Sequence, residues 1–189
     1  TGDVDASGDL TVDGDVSITG STSGILHGLS LDGKITSGDI TADAVIVDEP
    51  TGTLSDGDYG PGSRIFKYGS TSGMVLGKLY TFGGAMNIAT ASTLSSNPQR
   101  MLGVAVNAVS GFGVLLEGVV KVVVEGGSWS SNAQIGDPVY MSTGSGSNAG
   151  EFTDVAPTTA GQVVRVVGYI VSTTDNLIYF NPDKTWIEL

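Results

Sequence analysis

The chain has no cysteine, one histidine and only eight lysines and arginines among its 189 residues. Without cysteine there is neither a disulfide framework nor a thiolate metal site, and a single imidazole leaves the usual zinc constellations incomplete. The shortage of cations excludes a second class of function. Binding to nucleic acid or to an anionic membrane surface draws on clustered Lys and Arg, whereas the net charge here is −12. Long apolar runs are missing too. The longest, residues 112–124, is interrupted by Glu117 and Lys121 and reads as strands rather than a membrane-spanning helix. No helix-length pattern of 3.6-residue period with caps is evident, and no secretory leader is visible. The chain opens on Thr1 rather than Met, which leaves room for a segment upstream of it.

Glycine, by contrast, is over-used: 29 residues, where average usage of about 7% gives roughly 13. No strict three-residue period accompanies it, so the chain is not collagen-like but one that turns often. The acids are unevenly placed. Residues 1–60 hold twelve acids and one base, Lys34, for a net −11, whereas residues 61–189 hold eight acids and seven bases, for a net −1. The first third is therefore a strongly acidic segment and the remainder is nearly neutral, as suits an exposed repetitive element kept soluble by its carboxylates.

That acidic segment repeats. Gly2, Gly8, Gly14 and Gly20 are six apart and bracket the units GDVDAS, GDLTVD and GDVSIT. In each, the third residue is apolar (Val4, Leu10, Val16) and so is the fifth (Ala6, Val12, Ile18). This period-2 alternation gives one apolar and one polar face, while the Gly-Asp pair supplies the turn. A thin ribbon of this kind cannot bury two apolar side chains per unit by itself. Coiling into a solenoid of hexapeptide rungs is one solution, and wrapping three chains about a common axis is the other. Three full repeats are few for a solenoid, which favours a homotrimeric, intertwined stalk over residues 1–47, with Val4, Leu10 and Val16 as partner contacts. The aspartates match neither the EF-hand loop nor the calcium-binding nonapeptide, so they read as turn-forming, solvated carboxylates.

Residues 48–63, DEPTGTLSDGDYGPGS, are dense in Pro, Gly, Asp and Ser and are expected to be a hinge. Beyond it, short valine-rich runs alternate with turn clusters. Strands are expected at 64–68, 74–82, 102–109, 113–117, 119–125, 138–142, 163–172, 177–180 and 185–188. Nine short strands over residues 64–189 fit one small β-barrel or sandwich, so the fold class is all-β: a Gly-Asp stalk followed by a small β-domain.

Reactive chemistry is scarce. The nucleophile elbow GxSxG does not occur; GSTSG, at 20–24 and 69–73, carries Thr at its centre. His27 lies inside the repeat region and reads as a structural or surface residue. GLSLDGK at 28–34 approaches a phosphate loop, but Ile35 stands where Ser or Thr is required and no α/β context surrounds it. Glu117 and Glu125 read as edge or surface residues rather than a glycosidase pair. No catalytic, cofactor or metal site is expected, and the chain reads as non-enzymatic. Among the sparse aromatics Trp129, within GGSWSSN, is expected to be exposed and to contact carbohydrate or protein.

Two stretches carry a resemblance. GDPVYMS followed by TAGQVVRVVGYIVSTTDNLIYFNPDKTWIEL resembles the ending of many tailed-phage virion structural proteins, and RMLGVAVNAVSGFGVLLEGVVKVVVEGG is similar to phage capsid-decoration and fibre β-domains. Together they cover roughly residues 100–189. The run GDLTVDGDVSITG is similar to repeats of trimeric phage fibres and tail appendages, which also occur in bacterial surface proteins. The resemblance implies a homotrimer on the outside of a virion, partnered by the major capsid protein or another virion protein, and carries over no catalytic residue. A capsid decoration (cement) protein or short head fibre is the first reading. A receptor-binding tail fibre or adhesin recognising a host surface glycan, through the loops near Trp129 and residues 144–150, is the second.

Overall fold

Leu102, Val104 and Val106 recur at every second position of a valine-rich stretch, and they turn one face of its strand into the core. The same alternation, with turn clusters between, builds an all-β domain. The computed structural model describes residues 47–66, 73–82, 87–88, 94, 97–108 and 111–189. Among them are eleven strands: β1 (Arg64–Phe66), β2 (Leu79–Thr81), β3 (Asn87–Ile88), β4 (Leu102–Ala108), β5 (Gly111–Lys121), β6 (Pro138–Met141), β7 (Phe152–Thr153), β8 (Val163–Val164), β9 (Val166–Ser172), β10 (Leu177–Phe180) and β11 (Ile187–Glu188). Of the residues expected to form the stalk, 1–47, all but Val47 lie outside those described, Val4, Leu10 and Val16 included.

Strands β3-β2-β4-β5-β10-β9-β6-β7 form one antiparallel path, with β1 added to β5. The path curls into a nearly closed barrel. Its ends meet where the Leu79 amide of β2 donates to Gly150 O (2.8 Å), just before β7, and the Phe152 amide donates to Val123 O (2.9 Å). Inside lie Leu79, Val104, Leu115, Val139, Met141, Val167, Ile170 and Ile178, with Phe152 and Phe180 edge-to-face at 6.5 Å. β8 and β11 pair separately.

The expected strands 113–117 and 119–125 are one strand. Gly118, at φ +140°, bends β5 without ending it. A side chain there would be strained, and its Cβ would meet Ser63 Oγ at 2.1 Å. Conversely, the expected strand 163–172 is two: β8 pairs with β11 and β9 with β6 and β10, and Arg165 separates them. The two-residue strands β3 and β7 are too short for alternation to reveal.

Within residues 48–63, expected as a hinge, the stretch 57–60 is bonded to the domain. Gly57 and Gly60 donate to the carbonyls of Lys121 and Val119 (2.9 Å each), Lys121 donates back to Asp58 O (2.9 Å), and Tyr59 packs on the core. Turn-rich composition lets a backbone bend but leaves its amides needing acceptors, and the open edge of β5 provides them.

The closing seam also carries a buried ion pair. Lys78 Nζ lies 3.3 Å from Glu151 Oε1, with both side chains nearly sealed from solvent, and donates to the carbonyls of Ala149 (3.1 Å) and Ser147. Lys78 thus ties the glycine-rich 144–151 loop to β2 beside the Leu79–Gly150 bond. Lys78→Met strands a buried carboxylate and is expected to lower the unfolding free energy by about 3–5 kcal/mol in urea titrations. Lys78→Met combined with Glu151→Leu is expected to recover much of that loss, because no uncompensated charge remains.

Candidate functional site

The bend at Gly118 creates the most polar feature of the domain. Along one edge residues 57–66 bond to β5 between Val114 and Lys121; on the other, β4 pairs with its first half and β10 with its last. β4 begins and β10 ends at the same level, so the two strands part there, and a cleft of about 370 Å³ opens at the fork beside Leu116 and Glu117.

Three cations line this cleft, each brought from a different element. Arg64 of β1 reaches across to Glu117, Nη1 to Oε2 at 3.0 Å. The other Glu117 oxygen accepts the Tyr179 hydroxyl of β10 (3.1 Å). Burial, and then the hydrogen bond and charge of Glu117, raise the Tyr179 phenol above its ordinary value. Arg165, between β8 and β9, is buried. Its Nε donates to Asp183 O (2.6 Å) and its Nη1 to the carbonyls of Pro98 (3.0 Å) and Arg100 (2.9 Å). One guanidinium thereby fastens the loop before β4 to the loop after β10. Burial lowers the Arg165 pKa and the Asp183 carboxylate opposes that shift, yet the group stays charged at any ordinary pH. Nη2 makes no hydrogen bond among the described residues and is not sealed from solvent, and Arg165 is one of the residues that line the cleft. Lys184, the third cation, is exposed and has no ionic partner among the described residues.

The walls between these charges are mixed. Met101, Leu102, Leu116 and Pro182 supply apolar surface, and Gln99 and Asn181 supply side-chain amides. The arrangement offers positive charge, the Glu117 carboxylate and neutral hydrogen-bonding groups, and among the described residues no imidazole, thiol or nucleophilic hydroxyl lines it. Among the described residues no group of three His, Cys, Asp or Glu side chains is placed to hold a metal ion. Comparison with known proteins finds no matching family model, and no significant match among curated proteins or solved structures.

Trp129, expected on the surface, is buried in the core at 7% exposure. A glycine- and serine-rich setting marks a turn, but this turn folds inward. Ser130 holds it there, its amide donating to Asp154 Oδ1 (3.1 Å) and its hydroxyl to Oδ2. His27 lies outside the described residues, as do Val4, Leu10 and Val16. Arg64, Arg165 and Lys184 escape the sequence reading because they stand singly, far apart along the chain. The one available signal is Arg165 itself, a cation inside the apolar run VVRVV.

Burial of Asp154 favours its neutral form, but the Ser130 hydroxyl and amide bonds outweigh that and hold its pKa below the ordinary value of 3.8. A depressed folded-state value means that its contribution to stability is complete above pH 3.8 and fades as the pH falls through the lowered value. With Trp186→Phe removing the second indole, Trp129 emission is expected to stay blue-shifted down to about pH 4 and move red below it, before global unfolding seen by far-UV dichroism. In Asp154→Asn that acid step is expected to vanish.

Proposed function

We propose that this protein is a non-enzymatic structural component of a tailed-phage virion, a capsid decoration (cement) protein or short head fibre that works as a homotrimer on the particle surface. The observation that carries the reading is a division of labour. The described residues from 57 onward bury an apolar core, whereas the Gly-Asp hexads have alternating apolar positions that one thin ribbon cannot cover. A chain so built needs copies of itself for its first part and can present its second as an independent knob. The resemblance of residues 100–189 to phage decoration and fibre domains supports the same reading, and those residues supply β4 to β11 of the domain.

Exposed apolar side chains on the finished domain, among them Ile135 at 73% and Val155 at 61%, give it surface for protein contacts. Contacts of standard size to a neighbouring capsid subunit, burying on the order of 1,600 Å² each, would clamp it in place. The adhesin reading loses the contact assigned to it, because Trp129 is in the core.

Light scattering of the purified full chain is expected to give a mass three times the 19.2 kDa of one chain. Substituting Val4, Leu10 and Val16 together by Asp is expected to give monomers whose β-domain still unfolds cooperatively. Imaging of the intact particle is expected to place the protein on the capsid lattice. A stable wild-type monomer, or density confined to the tail, would count against the reading.

A further inference from the structure

We propose that the cleft at the strand fork is a binding site for an acidic saccharide, whose carboxylate is held by Arg165 and Lys184 while its ring lies against Met101 and Pro182. This inference does not depend on the virion reading, since it concerns a site on the domain alone.

The charge inventory supports it first. In a chain of net charge −12, three of the seven bases after residue 60 converge on one cleft. Other cations of the domain are spent internally: Lys78 on Glu151 and two carbonyls, and Lys121 on Leu54 O at 3.1 Å. Arg165 differs from them. Three hydrogen bonds through Nε and Nη1 fix the guanidinium in place, Nη2 is left without one, and the residue lines the cleft. A cation already desolvated and immobilised attracts an anion without the entropy cost of ordering a free side chain. Lys184 adds a mobile second charge.

The sum of charges selects the kind of anion. Arg64, Arg165 and Lys184 supply three positive charges, against the carboxylates of Glu117 and of Asp183, which acts on Arg165. One positive charge remains. A singly charged carboxylate matches it, whereas a doubly charged phosphate would face two nearby carboxylates with less compensation.

The neutral walls select the rest of the ligand. Gln99 and Asn181 each carry a donor and an acceptor, and a sugar hydroxyl both donates and accepts. Met101, half exposed, and Pro182 offer apolar surface for the C–H face of a pyranose ring. The volume of about 370 Å³ falls in the small-ligand range of about 300–1,000 Å³. An extended acidic peptide is a poorer match, because it docks best along a long open strand edge, and here β5 lacks a partner only over Leu116 and Glu117, between its β4 and β10 pairings.

The test is a chemical-shift titration of the isotope-labelled full-length protein with glucuronate, glucose, acetate, inorganic phosphate and a tetra-aspartate peptide. Glucuronate is expected to bind saturably, with the largest shifts at Gln99, Asn181 and Lys184, and more tightly than each of the others. Arg165 also braces two loops, so its replacement threatens the fold; Lys184→Gln is exposed and does not. It is expected to weaken glucuronate binding about tenfold, with the shifts of core residues such as Ile178 unchanged. Absence of saturable shifts, glucose binding as well as glucuronate, or phosphate, acetate or the peptide binding as tightly would each overturn the proposal. A Lys184→Gln protein that binds like wild type would do so too. None of these results bears on the oligomeric mass or the place on the particle.

Discussion

A strand has two edges, and how the edges of β5 are shared decides most of this structure. One edge takes residues 57–66 between Val114 and Lys121. The other is divided at Gly118, with β4 bonded before the bend and β10 after it. A straight strand would hold one neighbour per edge in a flat sheet. The bend instead lets one strand belong to both halves of a curling sheet, as bulged strands do at barrel corners. It also forces β4 and β10 apart at one level, and the cation-lined cleft is the space between them. Only a residue without a side chain fits that bend, because a Cβ would run into Ser63.

The buried cations do related work at the opposite ends of this arrangement. Glycine-rich loops leave carbonyls outside any strand ladder, and a buried carbonyl without a donor is costly. Lys78 gathers those of the 144–151 loop, and Arg165 those of the loops before β4 and after β10. Neither charge is isolated: Lys78 has Glu151, and Arg165 has the field of Asp183. The difference lies in what is left over. Lys78 turns its donors on loop carbonyls and a carboxylate at the closing seam, whereas Arg165 keeps one nitrogen towards solvent. That makes the first a brace and the second a brace with a free face.

Much of the fold is legible in the chain. Valine-rich alternation marks β4, β6 and β10 to within a residue, because period-2 burial is a local property. It fails where the decision is not local. Gly118 reads as a break between strands, yet its strand continues because partners on both sides hold it. The run around Arg165 reads as one strand, yet it changes partners at the arginine. The site is less legible still. Arg64, Arg165 and Lys184 come together only when β1, β9 and the chain after β10 are folded against β5, and their spacing carries no motif.

The amino-acid sequence by itself determined the all-β class, the uneven charge and the chemistries that lack their residues, since these follow from composition and from patterns that each segment carries alone. Tertiary structure decided that residues 57–60 lie on β5, that Trp129 faces inward, and that scattered cations share one cleft. The physical reason is the same in each case. Where an amide finds its acceptor, and which face of a turn meets the core, depend on chain segments brought from far along the sequence.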